Sequence, residues 1–407
     1  MFDATRIVVG LEIGTSKVCA IVGELDEEGQ LSIIGLGQSR SSGVRKGEIV
    51  DMERAEADIR QAVGEAEQMA NVEVQTVYLA VSGGHIRGFD NCGVHTVRDP
   101  DGGITEEDVA EVLRNARTLS LPAHEEVIHT VRQHFQVDGR DDVREPVGML
   151  GRRLEARVHV ITGELHRLQN SIRAVRSVHL EVEEIVFSGL ASALAVLNPE
   201  EKRDGVLVID MGGGTTDYVV FAGGILRHAG VLAVGGDHVT NDLASGLKLS
   251  LYRAEQLKVD YGAAFVEDRI RGQTLDLTSD VGLPLRSVNL EHLRRIMHLR
   301  LEETFELVRR EIEEAGLYDC LRAGVQLCGG CARIPHVAAL AEQVFELPVS
   351  LGRTVGVNGL KSALDQPEFA TGIGLLKFAQ QQQRIRPARR GLMRGLAERL
   401  RSLIHRP

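Results

Sequence analysis

The sequence predicts an α/β fold built from two similar lobes that face each other. Three observations carry that expectation. VLVIDMGGGTTDYVVF (Val206–Phe221) is an apolar run ending in Asp210, a turn of three glycines and two threonines, and a second apolar run. IVVGLEIGTSKVCAIVG (Ile7–Gly23) repeats the device, with Glu12 where the other copy has Asp210. VQLCGGCARIPHVAALAEQVF (Val325–Phe345) reads as a strand, a Gly-Gly turn and an amphipathic helix.

Each copy continues in the same order. A third strand follows at LSIIGLGQS from Leu31 and at GILRHAGVLAV from Gly224. A helical segment comes next, from Met52 in the first copy and from Gly235 and Gly236 in the second. Two copies of a three-strand meander plus helix imply two related halves. A plain hairpin needs only two turn residues, so Gly212, Gly213 and Gly214 call for a further reason. Glycine lets backbone amides approach a bulky anion closely, and a turn rich in such amides is an anion nest. Thr215 and Thr216 add hydroxyl donors, and Asp210 at the strand end is placed to hold a hydrated Mg²⁺. Gly14, Thr15, Ser16 and Lys17 form the matching turn of the first copy. Two such hairpins, opposed, grip a polyphosphate from both sides. Gly329 and Gly330, with Arg333 just beyond, suit close approach of a base and ribose.

Composition bounds the rest. A chain of 407 residues, 43% hydrophobic and 26% charged, is ordinary for a globular protein with more than one core. Five scattered cysteines suit a reducing compartment, not a disulfide framework. The N-terminus lacks the basic and apolar regions of a signal peptide, and no apolar stretch approaches the ~18 residues needed to span a bilayer. Net charge is −11, yet the last 24 residues carry eight arginines against Glu398, leaving −18 on residues 1–383. The body therefore repels nucleic acid, and only the tail attracts anionic surfaces.

With two hairpins, an adenosine-type loop and two small-residue helices, IVFSGLASALAVL (Ile185–Leu197) and FATGIGLLKFA (Phe369–Ala379), the chain resembles the actin, heat-shock chaperone and sugar-kinase superfamily over residues 6–380. GLEIGTSKVCAIVGE, KGEIVDME and PVGMLGRRLEARVHVITG narrow the resemblance to the bacterial cell-division family FtsA. That resemblance implies a duplicated, ribonuclease-H-like, two-lobed ATPase fold with an insert called 1C in place of actin's usual second subdomain. It implies subdomain 1A at 1–83, 166–197 and 369–383, 1C at 84–165, 2A at 198–243 and 324–368, and 2B at 244–323. It further implies ATP and Mg²⁺ as cofactors, with Glu12 and Asp210 positioning metal and water. Glu255 and Lys258 would reach the ribose or base. Implied partners are other copies of the chain in filaments, later division proteins at 1C, and the C-terminal peptide of the tubulin-like division protein FtsZ at 2B, where Arg300 is the best-matching position. The location implied is the division site on the cytoplasmic face of the inner membrane. The superfamily usually has Asp at the position of Glu12. Turnover is expected to be slow at most, since no side chain stands out as a general base.

Three further segments need a reading. Cys328 and Cys331 form Cys-x-x-Cys, but no second cysteine pair completes a zinc site, so they are read as small buried residues beside the nucleotide. His124, His129 and His134 recur every five residues, off any one helical face, and read as surface or satisfied core. Residues 289–315 read as one long amphipathic helix or a pair, with arginines on the outer side. After a linker at 384–388, residues 389–407 repeat at about 100° per residue. Leu392, Met393, Leu396, Leu400, Leu403 and Ile404 share one face, flanked by Arg394 and Arg401. That is the pattern of a helix lying in an anionic membrane surface. The rival readings are an actin-like protein of type IV pilus assembly and a small-molecule kinase of the same superfamily. The tail and the division-family motifs weigh against both, and a kinase also needs a substrate cleft with a base, which the inserts do not offer.

Overall fold

Apolar runs broken by glycine-containing turns set the strand order of both lobes. The computed structural model describes residues 6–99, 101–278, 284–360, 363 and 365–383. In the first lobe β1 (Arg6–Ile13), β2 (Lys17–Leu25) and β3 (Leu31–Arg40) form the antiparallel meander. A small hairpin of β4 (Val44–Arg45) and β5 (Glu48–Ile49) precedes α1 (Met52–Ala70). The Asp51 carboxylate accepts the Arg54 amide and starts α1, and Asn71 in the left-handed region ends it. Alanines line the inner face of α1 because β3 approaches closely. A Cβ on Gly35 would sit 2.7 Å from the Ala66 carbonyl oxygen. β6 (Thr76–Val81) then runs parallel beside β1.

The insert follows. β7 (Arg87–Thr96), α2 (Glu106–Arg117), β8 (Glu125–Val137), β9 (Arg140–Val143) and β10 (Arg153–Glu164) make a sheet of order β7-β10-β8-β9. It has its own small core around Val112, Phe135, Leu154 and Val160. The chain returns through α3 (Leu165–Ser177), β11 (Glu181–Phe187) and α4 (Ser188–Val196). The crossing helix thus begins three residues later than the sequence suggests. Ile185–Phe187 pair with β6 as strand, because a buried apolar run beside a parallel neighbour favours extended backbone.

The second lobe opens with α5 (Pro199–Asp204), then β12 (Val206–Met211), β13 (Thr216–Ala222), β14 (Ile225–Leu232), α6 (Gly236–Leu247) and α7 (Leu251–Tyr261). A ribbon of β15 (Thr274–Thr278) and β16 (Pro284–Asn289) leads into α8 (Leu290–Glu314), which is one continuous helix. β17 (Val325–Cys328), α9 (Val337–Phe345), β18 (Val349–Leu351), β19 (Asn358–Gly359) and α10 (residues 370–383) complete the chain. The second sheet has order β14-β13-β12-β17-β18, and the first contains β3-β2-β1-β6-β11. These are the same order with the same parallel and antiparallel pairings, so the duplication is structural.

α4 and α10 cross between the lobes in backbone contact, since a Cβ on Gly374 would overlap Ala191. The insert leans on β14 of the second lobe. No helix among the described residues is long and apolar enough to cross a membrane. The expected linker and amphipathic tail, 384–407, lie outside the described residues.

Candidate functional site

The two hairpin turns are built alike. The Gly14 amide donates to the Lys17 carbonyl at 3.0 Å, and the Gly212 amide to the Thr215 carbonyl at 2.9 Å. They point at each other across the gap between the lobes. A Cβ on Gly213 would lie 3.2 Å from Ser16 Cβ, and one on Gly214 would lie 2.6 Å from Lys46 Cα. What lies against the glycine triplet here is therefore the opposing hairpin and the β4–β5 tip. The cavity between them measures ≈ 70 Å³. By that measure it holds about half a dozen waters.

Three carboxylates converge on this cavity. Glu12 pairs with Lys17 at 3.3 Å. Asp210 and Asp217 face each other across β12 and β13. Asp210 Oδ2 accepts from Thr371 at 2.8 Å and from Ser192, hydroxyls that the two crossing helices bring in. Asp217 Oδ1 accepts from Ser82 at 2.6 Å. Burial pushes all three carboxyls above the usual range. Lys17 partly offsets this at Glu12, the two hydroxyls do so at Asp210, and the neighbouring Asp210 adds to the rise at Asp217. Lys17 also donates to the Glu368 carbonyl at 2.6 Å and lies 4.9 Å from the Phe369 ring centroid.

The loop after β17 closes the other end. Gly329 has φ +83°, and a Cβ there would sit 2.5 Å from the Met211 carbonyl oxygen. Arg333 pairs with Glu368 Oε1 at 2.5 Å, and Glu368 Oε2 is buried without a partner among the described residues. Cys331 Sγ donates to the Gly212 carbonyl at 3.4 Å. Burial raises the Cys328 thiol well up and the Cys331 thiol to about 11, so both are protonated near neutrality and poor nucleophiles.

Behind the second hairpin, the amides of Gly236 and Asp237 donate to the carbonyls of Gly212 and Gly213 at 2.9 and 2.7 Å. Gly236 and Asp237 thus brace the turn, and Gly235 packs against it, where a Cβ would lie 2.6 Å from the Gly212 carbonyl oxygen. Thr216 is fully buried, with its hydroxyl committed to the Val234 carbonyl at 2.8 Å. Lys258 is well buried, donates to the Gly236 carbonyl at 3.1 Å and pairs with Glu255 at 2.6 Å. Glu255 also accepts from the Thr240 hydroxyl, so the pair ties α7 to α6, with the Lys258 end buried and the Glu255 side chain 45% exposed.

Among the described residues no three His, Cys, Asp or Glu gather tightly enough to hold a metal directly. The donor set fits Mg²⁺ in another way. Desolvated carboxylates in excess of cations favour a divalent ion that keeps its waters and takes further ligands from phosphate.

Arg300 is not a free cation. Its guanidinium forks onto Asp242, Nε to Oδ2 at 2.5 Å and Nη2 to Oδ1 at 3.2 Å, and also meets Glu303. Of the arginines expected on the outer side of α8, Arg294 and Arg309 are half-buried and paired, and Arg295 and Arg310 are exposed. His129 is a satisfied core residue whose Nε2 accepts the Phe187 amide at 3.0 Å. Sequence reasoning missed Asp217, Ser82, Ser192, Thr371 and Glu368. Only Asp217 carried a signal, its place in the hairpin opposite Asp210.

Comparison with known proteins identifies the family and the fold. The family model described as cell division protein FtsA matches residues 207–374, and the SHS2 domain inserted in FtsA matches residues 83–162. A cell division protein FtsA of Pseudomonas aeruginosa is 38% identical over 378 residues, covering 93% of this chain and 90% of the relative. Among solved structures, a PilM–PilN type IV pilus biogenesis complex matches with TM-score 0.64 at 16% identity, covering 92% of this chain and 98% of that one. MreB5 of Spiroplasma citri bound to ADP matches with TM-score 0.54 at 17% identity, covering 93% and 98%. These two likenesses are of fold, which is actin-like.

Proposed function

Because the chain belongs to the FtsA cell-division family, we propose that it is an ATP-binding, actin-like scaffold of bacterial division. In this reading it polymerises on the cytoplasmic face of the inner membrane, tethers FtsZ filaments there and helps recruit later division proteins. The observation that supports nucleotide binding best is the meeting of two like-built glycine turns from opposite lobes over three buried carboxylates. ATP would lie with its phosphates between the turns and its adenosine toward Gly329 and Gly330. Mg²⁺, held through water by Asp210, Glu12 and Asp217, would supply charge neutralisation for the phosphates. Lys17 sits close enough to Glu12 to exchange that partner for phosphate. Asp210 is oriented by Ser192 and Thr371 from both crossing helices, so the metal-facing carboxylate reports on the lobe-to-lobe hinge.

Closure of the lobes around the ligand biases the filament contacts. The arginine-flanked tail attaches the filament, since linked weak anchors bind at high effective concentration. Electron microscopy of the purified protein with ATP on an anionic lipid monolayer tests the reading. Filaments that form with ATP and vanish without lipid or nucleotide support it. A soluble protein that phosphorylates a small molecule and never polymerises overturns it.

A further inference from the structure

The hairpin of β4 and β5 is two residues long on each side, yet its tip reaches both lobes. Lys46 and Gly47 form the turn, with φ +52° and +77°, the two positive values that a tight primed turn needs. The Gly47 amide donates to Thr15 Oγ1 at 2.9 Å, in the phosphate turn of the first lobe. Lys46 Cα and N would lie 2.6 and 2.9 Å from a Cβ on Gly214, in the turn of the second lobe. The Ser82 carbonyl, beside Asp217's partner hydroxyl, backs Gly47 at 3.1 Å from a Cβ placed there.

The cleft has a direction. At the Gly212 end the triplet touches Gly236 and Cys331, next to the loop suited to adenosine. At the Gly214 end it touches Thr15 and Lys46. A nucleotide laid from the adenosine loop along the triplet ends under the hairpin tip. The charges at that end are one-sided. Glu12, Asp210 and Asp217 line the cavity there, against Lys17 as the one cation among its described lining residues. A further phosphate adds repulsion there unless another cation meets it. Lys46 is exposed at the rim and is felt by His238 at the start of α6, whose pKa burial lowers first and Lys46 lowers further.

We infer that the β4–β5 hairpin is a clasp over the phosphate end of the cleft, and that Lys46 is the residue that distinguishes a nucleoside triphosphate from a diphosphate. The inference rests on the nucleotide-site reading above. A charge-assisted contact to a terminal phosphate adds to triphosphate affinity and leaves the diphosphate unaffected.

The test is calorimetric titration of the full chain with ATP and with ADP, in Mg²⁺, for the parent, Lys46→Met and Lys46→Arg. Thermal unfolding without nucleotide checks that the exposed substitutions leave the fold unchanged. Lys46→Met should weaken ATP by about tenfold and ADP by less than about twofold, and Lys46→Arg should keep the parent's preference. If parent and Lys46→Met share one ATP-to-ADP ratio, the clasp is wrong while the nucleotide site stands. If the parent binds neither nucleotide, the site reading fails and the clasp with it.

Discussion

Alanine substitution at two glycines of one turn separates lobe closure from simple loss of the turn. At Gly212 an added Cβ meets only the Thr215 carbonyl oxygen, at 3.4 Å, which is an ordinary contact. At Gly214 it meets the Lys46 backbone at 2.6 and 2.9 Å, along with Thr15 Oγ1. Backbone cannot swing aside, so relief requires the two hairpins to separate by roughly 1 Å, taking about 3.5–4.0 Å as the contact optimum. Overpacking of this kind costs about 1–3 kcal/mol. Because the contact exists only when the lobes are closed, the cost falls on closure and not on folding. Gly214→Ala should therefore bind ATP about 5- to 150-fold more weakly, with an unfolding midpoint close to the parent's in the absence of nucleotide. Gly212→Ala should bind within about threefold of the parent. Titration calorimetry with Mg²⁺ and thermal unfolding read the two quantities separately. Equal losses at both positions, or full affinity in Gly214→Ala, would refute the steric argument.

Three further outcomes follow from the same geometry. His129, held at a pKa of about 4 by burial, is neutral in the fold and titrates at 6.5 when unfolded. Its contribution is present in full above the unfolded value and is lost as pH falls through the folded one, the loss reaching about 1.4 kcal/mol near pH 5.5. His129→Gln keeps an acceptor for the Phe187 amide and should flatten that part of the pH dependence in urea unfolding; a parallel slope in the variant removes His129 as its source. Asp242→Asn should release Arg300 from its fork and strengthen capture of an FtsZ C-terminal peptide in fluorescence anisotropy, and unchanged binding would detach Arg300 from that partner. Deleting residues 389–407 should abolish co-sedimentation with anionic vesicles while ATP affinity is unchanged, and a truncated chain that still pellets shows that the anchor lies elsewhere.

The strands, both glycine turns and the duplication were legible because each is written in a contiguous stretch: an apolar run, an acid, glycines, another apolar run. α1 was legible to the residue, since Asp51 caps it and its apolar positions repeat at helical spacing. The start of α4 was not, because SGLASALAV and the IVF before it are equally apolar, and only pairing with β6 makes the latter strand. The hydroxyls on Asp210 were invisible for a different reason. Ser192 and Thr371 are 179 residues apart and meet only because two small-residue helices cross. Arg300 read as a cation open to a partner because Asp242, which it forks onto, lies on α6, 58 residues away. Local pattern carries the elements and the turn chemistry; long-range convergence carries the second layer of the site.

The duplication also explains why the two lobes are not electrically alike. Glu12 pairs in register with Cys19 in the first hairpin, as Asp210 pairs with Asp217 in the second. The counterpart of Asp217 is thus a thiol, fully buried and pushed up to about 12 by that burial, and uncharged at neutral pH. The first lobe therefore offers one carboxylate, balanced by Lys17 on the same hairpin. The second offers two, held by hydroxyls alone, with no lysine or arginine in its turn. Lys17, the one cation among the described lining residues, and the Lys46 backbone at the hairpin tip both belong to the first lobe. An anion entering between the lobes is attracted to the first and repelled by the second unless a cation comes with it. Closure on a nucleotide then depends on a divalent ion at the second lobe, and a phosphate chain without one should favour the parted arrangement.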